Sequence, residues 1–493
     1  MKANLFIAVD LGAGSGRVFL GNLSAASPDL EEVHRFQYPP RHHSGALRWD
    51  FEAIFAEILR GLGLASEKAT SVGGRVTSIG VDTWGVDYGW IDVEGRLISD
   101  PVCYRDKRTE GMIEEVTGVI PRSEIYGATG VQFLPFNTIF QLFSEKVQGE
   151  IPAGCRALLM PDLIGYRLTG KLVSEYSNST TMQLVDARTR DWAWSLIDRL
   201  GLRRDCFPVI AFPGDSLGKL KPEIASQTGL EDVQVVLPAT HDTGSAVAGA
   251  PLRPGSAYIS SGTWSLVGVE LDAPLITEAS EKENFTNEGG ADGTIRFLKN
   301  VTGLWLLESC RREWKDKGID ISYDNLLADA SSAEVGDAVL FPDDPRFFNP
   351  LSMIDAIGIQ LSENGFGRDY SPGQLTRIIL ESLALRYASI IKRLELLTGQ
   401  VIERVCVVGG GSQNDFLNQA TADYSGRLVT AGPVEATVLG NLLVQGIAAG
   451  RFANLAEARR YSVASSVRRE YSPQVRNQGQ AAAYSSIEAA FQV

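Results

Sequence analysis

Two α/β domains of similar core topology are what this chain predicts, and three observations carry the prediction. Two segments read as strand, small-residue turn, strand: Phe6-Ile-Ala-Val-Asp10-Leu-Gly-Ala-Gly-Ser-Gly-Arg17-Val-Phe-Leu20 and Tyr258-Ile-Ser-Ser-Gly262-Thr-Trp-Ser-Leu-Val-Gly268. Each is followed by an amphipathic stretch and then by a strand of the form Arg-Val-x-x-x-Gly, at 75–80 and at 404–409. The length of 493 residues exceeds what one core ordinarily holds. Such a duplication, with different insertions in each half, predicts two domains facing each other across a cleft.

The first strand ends at Asp10, and Gly12, Ala13, Gly14, Ser15 and Gly16 form its turn. Glycines let a turn take positive φ and bring its N–H groups up to an anion. Arg17 adds positive charge, and Asp10 is placed to hold Mg²⁺ through water. A tight hairpin without a ligand explains this segment equally well. The second turn, at Gly262-Thr263, shifts the balance toward phosphate, because the two flank a candidate base. Asp50 precedes an amphipathic helix from Phe51 to about Ala65, and a buried strand from Arg75 ends in Thr83-Trp84-Gly85-Val86-Asp87. With Tyr104-Arg-Asp-Lys-Arg108 and Gln132-Phe-Leu-Pro-Phe136-Asn137, that stretch offers flat apolar faces, carboxylates and amides, the mixture a polyol site uses. Taken singly, each is better read as a packed loop.

The candidate base is Asp242, in Pro238-Ala-Thr-His241-Asp242-Thr243-Gly-Ser-Ala-Val247. Prolines at 251 and 254 interrupt the small-residue helix that follows, which sets a hinge there and domains at 1–249 and 250–493. In the second half, Ser371-Pro372 caps a long helix whose stripe ends at Gly399. The strand from Arg404 opens into Gly409-Gly410-Gly411, flat enough for an adenosine face or simply a structural turn. A helper segment follows at 432–441, a turn and a small-residue helix. The Ala/Gln-rich stretch 478–483 reads as a fraying end.

A formal net charge of −14 and a pI near 5.0 argue against nucleic acid or an anionic membrane as partner. Five scattered cysteines without a CxxC fit free thiols in the cytosol. No signal peptide or membrane span is visible, so a cytoplasmic location is expected. Gly165-Tyr-Arg-Leu-Thr-Gly170-Lys171-Leu172 has the spacing of a nucleotide-binding P-loop, but Leu172 replaces the hydroxyl that would ligate magnesium. The glycine runs at 12–16 and 409–411 do not make a dinucleotide fingerprint, which disfavours hydride transfer. No ligand set accompanies His241 for zinc, and no nucleophile elbow is present.

Val9 to Arg17, Asp82-Thr-Trp-Gly-Val-Asp87, Tyr104-Arg-Asp106, 130–138, 159–162, His241-Asp-Thr243, 260–265, Asn287-Glu-Gly-Gly290, 298–300, 303–307 and Gly409 to Gly411 together resemble the FGGY carbohydrate kinases over nearly the whole chain. The resemblance implies two ribonuclease-H-like domains of the actin and hexokinase clan that close on a catalytic cleft. It implies Asp242 as general base, with Gly85, His241, Thr243 and Asn300 near the sugar. Ala13, Gly14, Ser15, Gly16, Arg17, Thr263 and Gly410 would hold ATP, with Mg²⁺ as cofactor. Glu308 stands where a Gln is expected beside the nucleotide, so it faces ribose or base, or else alters nucleotide affinity. The implied reaction is phosphorylation of a ketose, L-rhamnulose at its 1-hydroxyl, with L-fuculose or xylulose as alternatives. A silent sugar or nucleotide sensor on the same fold is the other reading. Trp84 or Phe133 would meet the methyl group of a deoxy-sugar. The expected assembly is a monomer or weak homodimer.

Overall fold

The computed structural model describes residues 4–24, 27–149, 151, 153–463, 469–474 and 477–491. Its contacts divide the chain into two compact units, neither of them continuous. The first comprises Met1–Pro251, Glu270–Phe297 and Ala436–Ser466; the second comprises Leu252–Val269, Leu298–Glu435 and Val467–Val493.

The first unit is built on six strands, β1 (Asn4–Gly12), β2 (Ser15–Asn22), β3 (Asp29–Gln37), β4 (Arg75–Thr83), β5 (Ser216–Lys219) and β6 (Gln234–Val236). They lie in the order β5-β6-β4-β1-β2-β3. β1 and β2 form the expected hairpin, with Asp10 opposite Arg17. β4 runs parallel to β1, so that Asp82 lies beside Asp10, and β6 runs parallel to β4. A further parallel bridge, Thr83 to His241, carries that alignment past the end of β6. Three neighbouring strands thus end at one edge, and in sheets of this kind ligands collect beyond the carboxyl ends of parallel strands.

Side chains alternate across a strand, and both faces of this sheet are covered. Val18 meets Gly61 of the helix Phe51–Ser71, where a Cβ would come within 2.4 Å of Val18 Cγ2. Phe6, Ala8, Phe19 and Leu23 pack instead on Val438, Leu439, Leu442 and Leu443 of the helix Ala436–Ala448. The first helix starts where the sequence puts it, Asp50 Oδ1 accepting Ala53 N–H at 3.0 Å. It continues past Ala65 to Ser71 because Ala69 extends the buried stripe. The second helix is the helper segment read beside the nucleotide; it belongs to the first unit, because its apolar stripe completes that unit's core. Gly165 lies inside the helix Met160–Thr169 and Gly170 caps it, leaving Lys171 exposed, so no phosphate loop forms there.

The second unit carries β7 (Ser256–Ser261), β8 (Trp264–Leu271), β9 (Ile295–Thr302, entering this unit at Leu298), β10 (Arg404–Val408), β11 (Leu428–Ala431) and β12 (Arg469–Tyr471), in the order β9-β8-β7-β10-β11-β12. β7 and β8 are the second hairpin, and β7, β10 and β11 are parallel. The helix Pro372–Thr398 has a full capping box at Ser371 and ends on left-handed Gly399, as its sequence predicts. The end of the chain differs from expectation: Gln478–Ala490 is a helix capped by Asn477. Tyr484 and Ile487 anchor it against Val339, Phe341 and Leu385, so its apolar side decides the structure despite its Ala/Gln content. All five cysteines are buried free thiols. Among the described residues, no helix is long and apolar enough to cross a membrane.

Candidate active site

Past β6 the chain runs through Thr240 and His241 and turns into the helix Asp242–Gly249. Thr83 N–H donates to Thr240 O at 2.8 Å, which ties this approach to the end of β4. Buried Glu175 accepts from Ser177 N (2.8 Å), Asn178 N (3.1 Å), Thr240 N (3.1 Å) and the Thr240 hydroxyl, locking two segments together. Asp242 is the first helical residue, where unpaired N–H groups and the helix dipole favour an anion. Its Oδ1 accepts from Thr243 N at 2.5 Å and Thr243 Oγ1 at 3.1 Å, and lies 3.6 Å from His241 Nε2. Oδ2 has no hydrogen-bond partner among the described residues, and the side chain is 28% exposed, so this oxygen is open to a ligand. Burial pushes the Asp242 carboxyl above its usual range; His241 opposes that, the Asp10 charge adds to it, and the Thr243 bonds oppose it.

His241 is fixed from its other side. Its Nδ1 lies 3.1 Å from Arg296 Nη2 and 3.3 Å from Glu288 Oε2. Arg296 is fully buried, donates through Nε to Gly289 O at 2.9 Å, and places Nη1 3.2 Å from Glu288 Oε2. Neither Glu288 nor Arg296 carried a role in the sequence reading. The available signal was a lone arginine in the apolar run Ile295-Arg-Phe-Leu298, since a charge in a buried strand demands partners. Asp82 was missed too. It is buried at the end of β4 and accepts from Asn441 Nδ2 at 2.5 Å; Gln445 Nε2 in turn donates to Asn441 Oδ1 at 2.7 Å. Burial first, then the Asp10 charge, holds its carboxyl well above the usual range.

Gly85 stands in a strained turn on the same edge. Asp87 N donates to Gly85 O at 2.9 Å, closing a three-residue turn in which Val86 has φ +69°, an outlying conformation for a β-branched side chain. Val86 is over-determined: its N–H donates to Thr181 Oγ1 at 3.1 Å, and its carbonyl accepts from Thr138 Oγ1 at 2.7 Å and Gln141 Nε2 at 3.2 Å. A Cβ on Gly85 would press Thr181 at 3.0 Å. Parts of the polyol reading are corrected here. Asp87 accepts Trp49 Nε1 at 2.6 Å and Trp84 Nε1 at 2.9 Å and is buried, so it braces two indoles. The Asn137 amide donates to Gln132 O at 2.8 Å and Gln183 Oε1 at 2.9 Å, and Arg108 pairs with Glu145 at 2.5 Å. These groups are engaged within the protein. Trp84 stacks on Tyr38 and tilts against Trp49, and Phe133 lies under Arg122 at 4.0 Å; both rings are buried.

The two hairpins keep open turns. In the first, Ala13 and Ser15 are exposed and Gly14 has φ +134°. Tyr38 holds the turn: its N–H donates to Gly14 O at 2.9 Å, and its hydroxyl lies 2.6 Å from Gly12 O and 2.9 Å from Ser15 O. Gly16 is buried against Leu11 and Phe36, where a Cβ would clash, and Arg17 forms an ion pair with Asp10. In the second unit, Gly303 N and Trp305 N donate to Thr263 O, both at 3.1 Å, and leave the Thr263 side chain exposed. Gly409 and Gly411 back onto Ser261 at the end of β7, while a Cβ on Gly410 would meet nothing within 4 Å. Thr263 and Gly410 therefore share the carboxyl edge of β7 and β10. Glu308, in the helix Trp305–Asp316, pairs with Arg311 at 2.8 Å, and Arg311 lies over Tyr323, whose hydroxyl accepts from Asn414 Nδ2 at 2.9 Å. Of the expected sugar residues, Gly85, His241, Asp242 and Thr243 are brought to one edge of the first unit. Asn300 lies on β9 in the second.

Residues 5–249 match the model of the N-terminal domain of the FGGY family of carbohydrate kinases, and residues 257–449 match that of its C-terminal domain. The rhamnulokinase of Bacteroides thetaiotaomicron is 43% identical over 96% of this chain and 96% of its own length. That of Bacillus subtilis is 40% identical over 92% of each chain. Among solved structures, gluconate kinase from Lactobacillus acidophilus superposes with a TM-score of 0.80 at 18% identity, covering 99% of this chain and 97% of its own. Plasmodium falciparum glycerol kinase with ADP gives 0.78 at 15% identity, covering 100% and 98%. The two-domain actin- and hexokinase-like carbohydrate kinase fold is therefore the fold of this chain.

Proposed function

The chain belongs to the FGGY family of carbohydrate kinases, and from that premise we propose that it transfers the γ-phosphoryl group of ATP to the 1-hydroxyl of L-rhamnulose. A sugar kinase takes a sugar and ATP as substrates; the choice of ketose is supported by relatives named rhamnulokinase, 39–43% identical over nearly the whole chain. The observation that carries the chemistry is the asymmetric carboxylate of Asp242, with Oδ1 anchored by Thr243 and Oδ2 open. Oδ2 accepts the hydroxyl proton as the sugar oxygen attacks the γ-phosphorus in line; the bond to the bridging oxygen breaks and ADP leaves. A carboxylate suffices as base because phosphoryl-transfer transition states are loose and the proton leaves late. Burial, which raises its proton affinity, helps it.

Gly85, His241, Thr243 and Asn300 are assigned to the sugar, and Ala13 to Arg17, Thr263 and Gly410 to ATP. Glu308, its charge balanced by Arg311, suits ribose or base better than phosphate. Mg²⁺ is held by one or two carboxylates together with water and substrate phosphates, and the nearly buried Asp10 fits that role. When bound, the ion would neutralise phosphate charge. The test is ADP release with Mg²⁺ATP against L-rhamnulose, L-fuculose, xylulose, ribulose and glycerol. L-Rhamnulose is expected to be turned over best, and Asp242→Asn to lower turnover by about 10²–10⁴, the usual worth of a general base. Preference for another ketose would overturn the substrate, and near-normal turnover by the variant would remove Asp242 from its role.

A further inference from the structure

We infer that Arg296 is a positioning residue that holds His241 as the neutral tautomer with its proton on Nε2, a reading that rests on Asp242 as the base. Four observations carry it. Arg296 is fully buried, in a strand otherwise apolar at that point, so its charge is placed at considerable desolvation cost. Its guanidinium is held in one orientation by Gly289 O at 2.9 Å and Glu288 Oε2 at 3.2 Å. So oriented, Nη2 is hydrogen-bonded to His241 Nδ1 at 3.1 Å. A guanidinium can only donate, so we read Nδ1, which also lies 3.3 Å from Glu288 Oε2, as the acceptor of the Arg296 bond and without a proton. The imidazole proton is left on Nε2, which faces Asp242 Oδ1 at 3.6 Å.

The charged groups around the ring are Asp242, Glu288 and Arg296. Glu288 balances the arginine, which would otherwise stand as an unpaired cation against the histidine. The consequence is chemical. A cationic His241 would pull the Asp242 carboxylate down and weaken it as a base, against the burial that lifts it. A neutral ring still offers one N–H on the Asp242 side, able to orient the anchored carboxylate or a sugar oxygen, without that penalty. The other nitrogen is occupied by Arg296, so the ring has no freedom to flip or to take the proton itself.

With only four histidines in the chain, ¹⁵N-histidine labelling resolves this directly, His241 being assigned from the spectrum of His241→Gln. In the wild-type protein His241 is expected to show an unprotonated Nδ1 and a protonated Nε2. An imidazolium, an Nδ1–H ring or a mixture of tautomers would overturn the inference, and this readout needs no substrate, so it is independent of whether the sugar assignment holds. Arg296→Lys keeps the charge but not the planar fork. It is expected to release His241 into a tautomer mixture and to lower kcat about tenfold or more with little change in sugar KM. A folded Arg296→Lys protein with the wild-type tautomer and rate would equally overturn it. Should that variant fail to fold, the tautomer of the wild-type ring alone decides the inference.

Discussion

Three carboxylates lie along the carboxyl edge of the first unit's parallel strands, and each is held differently. Asp10 is paired with Arg17, Asp82 is bonded to Asn441, and Asp242 is anchored through Oδ1 by Thr243. A fourth, Asp87, has become a brace for Trp49 and Trp84, and burial pushes its pKa up to about 6. That shift has a definite sign. An unfolded aspartate titrates near 4, so between about pH 4 and 6 the folded protein holds a proton that the unfolded chain has lost. Stability from this group is greatest below about pH 4, falls as pH rises to about 6, and is level above; at about 1.4 kcal/mol per pH unit the loss is about 3 kcal/mol. Asp87→Asn cannot ionise. Whatever constant offset its amide introduces, its stability relative to wild type should rise from pH 4 to pH 6 and then plateau in urea titrations. Parallel profiles for the two proteins would show that Asp87 is already ionised at pH 4.

At the scale of elements, the helices Asp242–Gly249 and Ala436–Ala448 meet through glycine. A Cβ on Gly440 would lie 1.8 Å from Ser245 O, and one on Gly249 would lie 2.2 Å from Ala436 O. Backbone cannot yield as a side-chain end can, so Gly440→Ala must drive the helices apart. It is expected to cost about 1–3 kcal/mol or more, the range for overpacking, and to lower kcat as well because Asp242 begins one of the helices. Gly63→Ala is the matched control: nothing lies within 4 Å of its Cβ in the helix Phe51–Ser71, so it should stabilise by about 0.5–1 kcal/mol. Thermal unfolding of the two variants reads both signs, and equal shifts would refute the contact. What the sequence disclosed at this scale was local. The hairpins, the Ser371 cap and the Gly399 stop are written in consecutive residues, and so is the small-residue start of the helix at Asp242. Asn441 reaches Asp82 across 359 positions, and Arg296 reaches His241 across 55, distances over which no periodicity or turn chemistry speaks. Asp87 and Asn137 misled for a related reason: their residue types suit a sugar, but each is taken up by a near group, Trp84 or the Gln132 carbonyl, and by a distant one, Trp49 at 38 positions or Gln183 at 46.

Along the sequence the two units are interleaved. The first unit takes back Glu270–Phe297 and Ala436–Ser466 after the chain has left it. Those segments supply Glu288 and Arg296 to His241, Asn441 to Asp82, and Val438, Leu439, Leu442 and Leu443 to the core under β1 and β2. A fragment ending at residue 249 would have an apolar sheet face uncovered and His241 and Asp82 without their partners. Uncovered apolar surface of this kind drives aggregation, and a buried carboxylate without its donor costs a further penalty. Residues 1–249 expressed alone should therefore be insoluble or lack a cooperative unfolding transition, although residues 5–249 match the family's N-terminal domain in sequence. Joining 1–251 by flexible linkers to 270–297 and then to 436–466 should restore a cooperative transition, because it returns every segment the first unit draws on. A well-dispersed amide spectrum and sharp melting from residues 1–249 alone would show instead that the returning segments dock onto a unit already able to fold.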